Sequence, residues 1–260
     1  VDSFWIGRTE VTNQQYCDFL NERKPNDVVL GAWITENIIQ IENLGDEYTQ
    51  NWVPKSGPIL NADGKTTHEG SYADYPVMGV TCLGAGAYAA FVAEKKCGYP
   101  DKDNGYYLPT EAQWEYAAIG SEWNSDWANE AVSGCDYDAN YNSYMWSCEN
   151  CDSEGSSCLG AYLGNGTDPN AISGSGSQTG GTHPVAGRLP NCLGLYDMSG
   201  NVSEICADYY KSTDYPCGGP LNPRNASSSN ADDSADGTLR AVRGGMWFSS
   251  VAYGYTFVRD

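Results

Sequence analysis

The sequence predicts a compact, loop-rich globule that mixes short helices with strands around an ample core, and it argues against a helical bundle. Three observations carry this. Thirty Gly and 12 Pro make up about a sixth of the 260 residues, which demands many turns. Nineteen Tyr and 8 Trp supply more aromatic bulk than a disordered chain carries. Two Thr-x-x-Gln spacings, Thr12 to Gln15 and Thr110 to Gln113, mark helix starts between stretches that look extended.

Taken in order, Phe4-Trp5-Ile6 reads as a strand, and the helix that opens at Thr12 runs through Tyr16, Phe19 and Leu20. A long, turn-rich excursion follows to about Asp74. Tyr75 to Val80 is a short apolar run, and Ala85 to Lys96 is a second helix stopped by Gly98. Tyr106-Tyr107-Leu108 leads into the capping box at Pro109-Thr110-Glu111-Ala112-Gln113, whose helix carries Trp114, Tyr116 and Ala117. Glu111 and Glu115 share one face of that helix, where capping and solvation are their expected roles. Gly120 to Gly181 and Asn222 to Gly237 are polar and rich in Gly, Ser and Asn, so both read as loop. Neither an internal repeat nor a linker is apparent, and residues 1–260 are expected to form one domain.

Fourteen Lys and Arg against 34 Asp and Glu give a formal net charge of −20. A surface that tracks phosphates needs clustered cations, so nucleic acid is not an expected partner, and an anionic membrane surface is disfavoured for the same reason. No stretch approaches the roughly 18 continuous apolar residues of a membrane span. Val1-Asp2-Ser3-Phe4-Trp5 lacks an initiator Met and reads as the start of a mature chain.

Ten cysteines in an acidic, Lys-poor chain point to an oxidising, extracytoplasmic setting with some disulfides. Cys135, Cys148, Cys151 and Cys158 sit in a segment with little else to hold it. Crosslinks there would remove loop entropy from the unfolded chain. The alternative is zinc, for which Cys148-Glu149-Asn150-Cys151 has ligand spacing, although a second such pair is lacking. Only His68 and His183 occur, which excludes a multi-histidine metal centre and leaves few candidates for a histidine-based triad.

Several segments together resemble the formylglycine-generating-enzyme, or sulfatase-modifying-factor, family. They are Arg8-Thr9-Glu10-Val11-Thr12-Asn13, Tyr75-Pro76-Val77, Leu108 to Ala118, His183-Pro184-Val185, Gly194-Leu195-Tyr196-Asp197-Met198-Ser199-Gly200-Asn201-Val202-Ser203-Glu204, and Val242-Arg243-Gly244-Gly245-Met246-Trp247. They occur in family order and cover nearly the whole chain. The resemblance implies an α+β fold of the C-type-lectin-like, formylglycine-generating-enzyme type, with small sheets, few helices and extensive loops. It leaves function open, because sites rather than folds decide chemistry.

The family's enzymes hold copper with two cysteine thiolates, which the resemblance places at Gly254 and Arg259. Glycine offers no ligand, arginine repels a cation, and no cysteine follows Cys217. The chain is therefore expected not to be an enzyme. Family members often bind calcium through oxygen ligands, and the matching positions are Asn201, Val202 and Glu204, with Asn140 at a second site. No cofactor is required, and the one ion the resemblance allows is calcium, in a structural role. Ser203 and Ile205 stand where the family carries aromatics.

The C-terminal segment departs from the family pattern. From Phe248 to Asp260 it is rich in Tyr, Phe, Ser and Gly, a paratope-like mixture of rigid contact area and adaptable polar groups. Every residue in it can be encoded by a codon ending in a pyrimidine, as randomised adenines in Asn codons would give. With the fold, this resembles the variable proteins of diversity-generating retroelements. That resemblance implies a variable region at 246–260 with displayed positions Met246, Phe248, Ser249, Ser250, Ala252, Tyr253, Gly254, Tyr255, Thr256 and Val258. Trp247 belongs to the scaffold, with Phe257 and Arg259 as further scaffold positions. A plainer explanation stays open, since Tyr253, Tyr255 and Phe257 alternate as a half-buried strand would.

The resulting expectation is a monomeric, lipid-anchored cell-surface protein that binds a protein or other macromolecule on another cell or a host, by shape and aromatic contact. Two alternatives accompany it. One is an extracytoplasmic accessory or structural lipoprotein with an invariant surface, and the other is an enzyme with an unidentified site in the acidic loops.

Overall fold

Helices begin here where side chains take up the N–H groups that a first helical turn leaves unpaired. The computed structural model describes residues 2–23, 40–45, 51–60, 66–97, 105–120, 132–134, 141–147, 150, 181–210, 239–247, 249–255 and 258. Thr12 N–H donates to Gln15 Oε1 at 3.0 Å and Gln15 N–H to Thr12 Oγ1 at 3.3 Å, opening α1, Asn13–Arg23. The second expected box also forms. Thr110 N–H donates to Gln113 Oε1 at 2.9 Å and Gln113 N–H to Thr110 Oγ1 at 3.2 Å, opening α3, Glu111–Ile119. Between them α2 spans Cys82–Cys97, starting earlier than expected because Thr81 caps it: Gly84 N–H reaches Thr81 Oγ1 at 3.2 Å. Its expected stop at Gly98 lies outside the described residues.

Tyr16, Phe19 and Leu20 recur at helical spacing and form a first core with Cys17 and Ile41. Tyr88 and Phe91 of α2 close over it, with ring centroids 5.4–5.8 Å from Tyr16 and Phe19. The excursion before Asp74 holds two antiparallel hairpins rather than turns alone. They are β1, Ile41–Asn43, with β2, Trp52–Pro54, and β3, Ser56–Leu60, with β4, Thr66–Ser71. These strands are short and carry Gly57, Pro58 and Gly70, so propensity gives no hint of them and pairing makes them. Asn21 fixes the first hairpin to α1 by accepting Trp52 N–H at 2.7 Å and donating to Trp52 O at 2.8 Å.

A second core lies under α3, where Trp114, Ala117 and Ala118 meet Leu195, Met198, Cys206 and Ala241. Burying Trp114 alone contributes a few kcal/mol at about 25 cal/mol per Å². β5, Glu204–Tyr209, pairs antiparallel with β6, Arg240–Arg243, in the register Glu204↔Arg243 and Ile205↔Val242. Asp208 on β5 accepts Glu111 N–H at 2.7 Å and so joins the sheet to the start of α3. The strand expected at Phe4–Ile6 does not form. Phe4 and Ile6 pack onto the second core while Trp5 is 98% exposed, so the alternation reflects one-sided docking without a pairing partner.

Arg243 is the largest buried cation. Its Nε lies 3.2 Å from Glu111 Oε1, its Nη2 pairs with Glu115, its Nη1 donates to Val258 O at 2.7 Å, and its Cζ sits 5.3 Å from the Trp114 ring centroid. The roles expected for Glu111 and Glu115 are thus corrected. Glu111 is buried, and both carboxylates neutralise the arginine that reaches α3 from β6.

Cys192 is disulfide-bonded, whereas Cys17, Cys82 and Cys206 are free thiols. The cluster Cys135, Cys148, Cys151 and Cys158 lies outside the described residues. Among the described residues no helix is long and apolar enough to cross a membrane.

Two substitutions test this frame. Arg243→Ala leaves Glu111 buried beside no cation and is expected to cost about 3–5 kcal/mol in denaturant unfolding; a loss below about 1 kcal/mol would contradict the ion-pair assignment. Gly200 has φ +78° and a Cβ there would stand 2.0 Å from Trp146 O. Gly200→Ala is therefore expected to cost at least about 2 kcal/mol, and a neutral result would contradict the close approach.

Candidate functional site

Past Arg243 the chain turns on a second left-handed glycine. Gly245 has φ +68°, and a Cβ on it would lie 2.8 Å from the carbonyl of Tyr253, so the turn and the segment that returns over it can approach only at glycine. The returning segment is held from beneath at three points. Trp247 N–H donates to Asn201 O at 2.9 Å, Ser199 Oγ donates to Gly254 O at 2.7 Å, and Arg243 Nη1 reaches Val258 O. Each bond uses a backbone atom of the segment. Internal bonds complete it: Ser249 N–H to Met246 O at 2.9 Å, Tyr253 N–H to Ser250 O at 3.0 Å, and Val258 N–H to Tyr255 O at 3.0 Å. Anchoring of this kind fixes the path of the chain and makes no demand on its side chains.

The structure brings most of the expected displayed positions together on this segment. Ala252 and Tyr253 are exposed, and Met246, Ser249, Ser250, Tyr255 and Val258 are half-buried, as is Trp247. None of these carries a charge, in a chain whose net charge is −20. Phe248, Thr256, Phe257 and Arg259 lie outside the described residues. Two expectations are corrected. Gly254 is buried rather than displayed, packed against Met145. The strand suggested by the alternation of Tyr253, Tyr255 and Phe257 is absent at its start, because Val251–Gly254 is a 3₁₀ turn.

A buried acidic cluster sits beneath the segment. Glu10 accepts Asn201 Nδ2 at 2.8 Å and Val202 N–H at 3.0 Å. Burial pushes its carboxyl well above the usual range, helped by the charges of Asp197 and Glu204 and opposed by those two hydrogen bonds. Burial likewise raises Asp197 to about 6, against Ala186 N–H at 2.7 Å and the nearby Arg188. Glu204 is raised to about 7, by burial first, with Asp197 adding to it and the Trp114 indole opposing from beyond hydrogen-bonding range.

These residues test the calcium expectation. Asn201 does not fit as a side-chain ligand, since its Oδ1 accepts His183 N–H at 2.9 Å and its Nδ2 is spent on Glu10 and His183 O. Asp197 does fit, because its Oδ1 is buried with no hydrogen-bond partner, and Glu204 is a second desolvated carboxylate near it. Oxygen donors of this kind suit a hard cation. Among the described residues no three Asp, Glu, His or Cys side chains converge as ligands of one ion. Asn140 lies outside the described residues. Sequence reasoning missed Asp197 and Glu10, although both stand inside recognisable motifs. Gly254 carries no thiolate, and the thioether of Met145 lies beside it.

The sulfatase-modifying factor enzyme 1-like domain matches residues 1–257. The chain belongs to this family. The chaperone protein LppX of Paenibacillus barcinonensis is 32% identical over 96% of this chain and 71% of its own length. The formylglycine-generating enzyme of Thermomonospora curvata is 26% identical over 96% and 73%. The serine/threonine-protein kinase Pkn1 of Chlamydia trachomatis is 26% identical over 95% of this chain, which spans 28% of that kinase's length. Among solved structures, CarF superposes with a TM-score of 0.50 at 21% identity over 97% of this chain and 77% of that one, a likeness of fold. Treponema denticola variable protein 1 gives a TM-score of 0.47 at 23% identity over 73% and 66%. The α+β architecture with small antiparallel sheets is therefore the C-type-lectin-like fold of this family. The proteins it is similar to carry names as different as chaperone, kinase and formylglycine-generating enzyme, so the likeness leaves the chemistry to the site.

The acidic cluster has a pH signature. Asp197 and Glu204 titrate higher in the folded chain than their unfolded values of roughly 4. Between about pH 4 and 7 the folded state therefore binds more protons, and stability falls as pH rises through that window. In chain stripped of divalent ions, the melting temperature is expected to rise on acidification from pH 7.5 to 5, and Asp197→Asn with Glu204→Gln should make the profile shallower, with the buried Glu10 still contributing. Added calcium should raise it most near pH 7.5. A profile that is flat for the unsubstituted chain would contradict the assignment.

Proposed function

We propose that this chain is a non-catalytic binding protein that presents the outer face of residues 246–258 as a recognition surface, varied between copies by retroelement-templated mutagenesis. One observation carries the reading: the segment is anchored through its own backbone atoms to Asn201, Ser199 and Arg243, so exposed side chains such as Ala252 and Tyr253 can change while its path stays fixed. The surface is uncharged and holds Tyr253 and Tyr255 among small residues, a composition suited to contact by shape and aromatic packing. The absence of cysteine after Cys217 speaks against the copper chemistry of the family's enzymes.

The ligand in this reading is a protein or other macromolecule on another cell or a host, met by a monomer of one domain. The chain sits outside the cytoplasm, lipid-anchored at the cell surface, and the disulfide at Cys192 supports an oxidising compartment. Calcium, where present, is structural and held by Asp197 and Glu204. A second reading, an accessory protein of chaperone type with an invariant surface, is favoured by the 32% identity to LppX.

Deep sequencing of the 3′ end of the gene across a population of source cells separates the two. The proposal expects substitutions concentrated in the codons for 246–258, at positions matching template adenines, with Arg243, Gly244 and Gly245 constant. An invariant 3′ end across lineages would overturn it in favour of the accessory protein.

A further inference from the structure

Met145 lies between two glycines that belong to different parts of the chain. It is fully buried, follows the 3₁₀ turn Tyr141–Ser143, and is held there by its N–H to Tyr141 O at 2.9 Å and by Asn150 Nδ2 to its own carbonyl at 2.8 Å. At one end of its side chain, Cγ would stand 2.7 Å from a Cβ on Gly200. At the other, Cε and Sδ would stand 2.2 and 2.6 Å from a Cβ on Gly254. Both are closer than van der Waals contact permits, so the thioether fills the volumes that side chains at 200 and 254 would need.

The two glycines differ in what excludes a side chain. Gly200 has φ +78° and a backbone carbonyl 2.0 Å from its would-be Cβ, so conformation and backbone both forbid substitution. Gly254 is not among the positive-φ residues, and the next obstacle after Met145 is Gly244 O at 3.4 Å, an ordinary contact. Position 254 could therefore hold an L side chain if Met145 were smaller. It is glycine because of one buried side chain on a distant turn.

We propose that Met145 is a positioning residue for the recognition surface: it locks position 254 as glycine and, through that contact, sets the height of the turn Val251–Gly254 that carries the exposed Ala252 and Tyr253. The functional meaning rests on the reading of 246–258 as a recognition surface, while the contact itself does not. Consequences follow for diversification. Side chains at 252 and 253 can vary without reference to the core, whereas a side chain at 254 requires the end of the buried Met145 to shift or Met145 to be replaced. Ser199 Oγ, which donates to Gly254 O, holds the same residue from a second direction.

The test is a double-mutant cycle of Gly254→Ala and Met145→Ala, with Ala252→Ser as a control on the exposed side of the same turn. The readout is amide hydrogen exchange at Tyr253, whose N–H closes the turn onto Ser250 O, together with the melting temperature. Gly254→Ala alone is expected to speed exchange at Tyr253 at least about tenfold, and the same substitution on the Met145→Ala background to change it by less than about twofold. Ala252→Ser should leave both readouts unchanged. Failure of Gly254→Ala to fold while the double variant folds supports the lock equally. Equal effects of Gly254→Ala on both backgrounds, no effect on either, or a double variant that also fails to fold would overturn it. These outcomes need no ligand, so an invariant gene sequence could sink the display reading and leave the lock standing.

Discussion

The buried guanidinium of Arg243 is the interaction on which the rest of the second half of the fold depends. It takes both carboxylates of α3 that face inward, leans on the Trp114 ring and donates to Val258 O. Helix, sheet and C-terminal segment thus meet at one side chain. A buried cation is costly to desolvate, and only an arginine with its planar fork can pair two carboxylates and a carbonyl at once. The arrangement explains why the helix carries Glu at both 111 and 115, and why β6 ends at Arg243.

From that anchor outward, rigidity passes from side chains to backbone. Asn191 donates to Ala117 O and Ser133 Oγ, Ser133 N–H donates to Ser199 Oγ, and Ser199 Oγ donates to Gly254 O. This buried polar chain runs from the end of α3 to the C-terminal segment, and each link satisfies a group that burial would otherwise penalise. The last link ends on a carbonyl, which every residue possesses. Beneath it the acidic cluster of Glu10, Asp197 and Glu204 carries charge that burial disfavours, so the scaffold under the surface is sensitive to protons in a way the uncharged surface is not.

Much of this was legible in the sequence, and what was not has physical causes. Both capping boxes and the three helices among the described residues follow from Thr-x-x-Gln spacing and apolar periodicity, and the family motifs fix the order of the elements. The hairpins between Ile41 and Ser71 were hidden because strands of three to six residues carry no periodicity to read, and their stability comes from pairing. Phe4–Ile6 looked like a strand because docking one face of an extended segment produces the same alternation. At the surface, Ala252 and Tyr253 are exposed as a displayed position requires, whereas Gly254 is buried, and nothing local in the sequence shows this because its burial involves Met145, more than a hundred residues earlier. Asp197 stood in plain view inside a motif, yet only the unpaired Oδ1 distinguishes it from a turn residue.

The central claim is that this segment has a fixed path along which its exposed side chains can change. Saturation mutagenesis of residues 239–255, scored by surface display with a conformation-sensitive antibody to a distant epitope, tests it most directly. The account expects Arg243 and Gly245 to reject nearly every substitution, while Ser249, Ser250, Ala252 and Tyr253 accept most of them without loss of folded protein. Uniform intolerance across the segment would show that its side chains belong to the core, and would contradict the account.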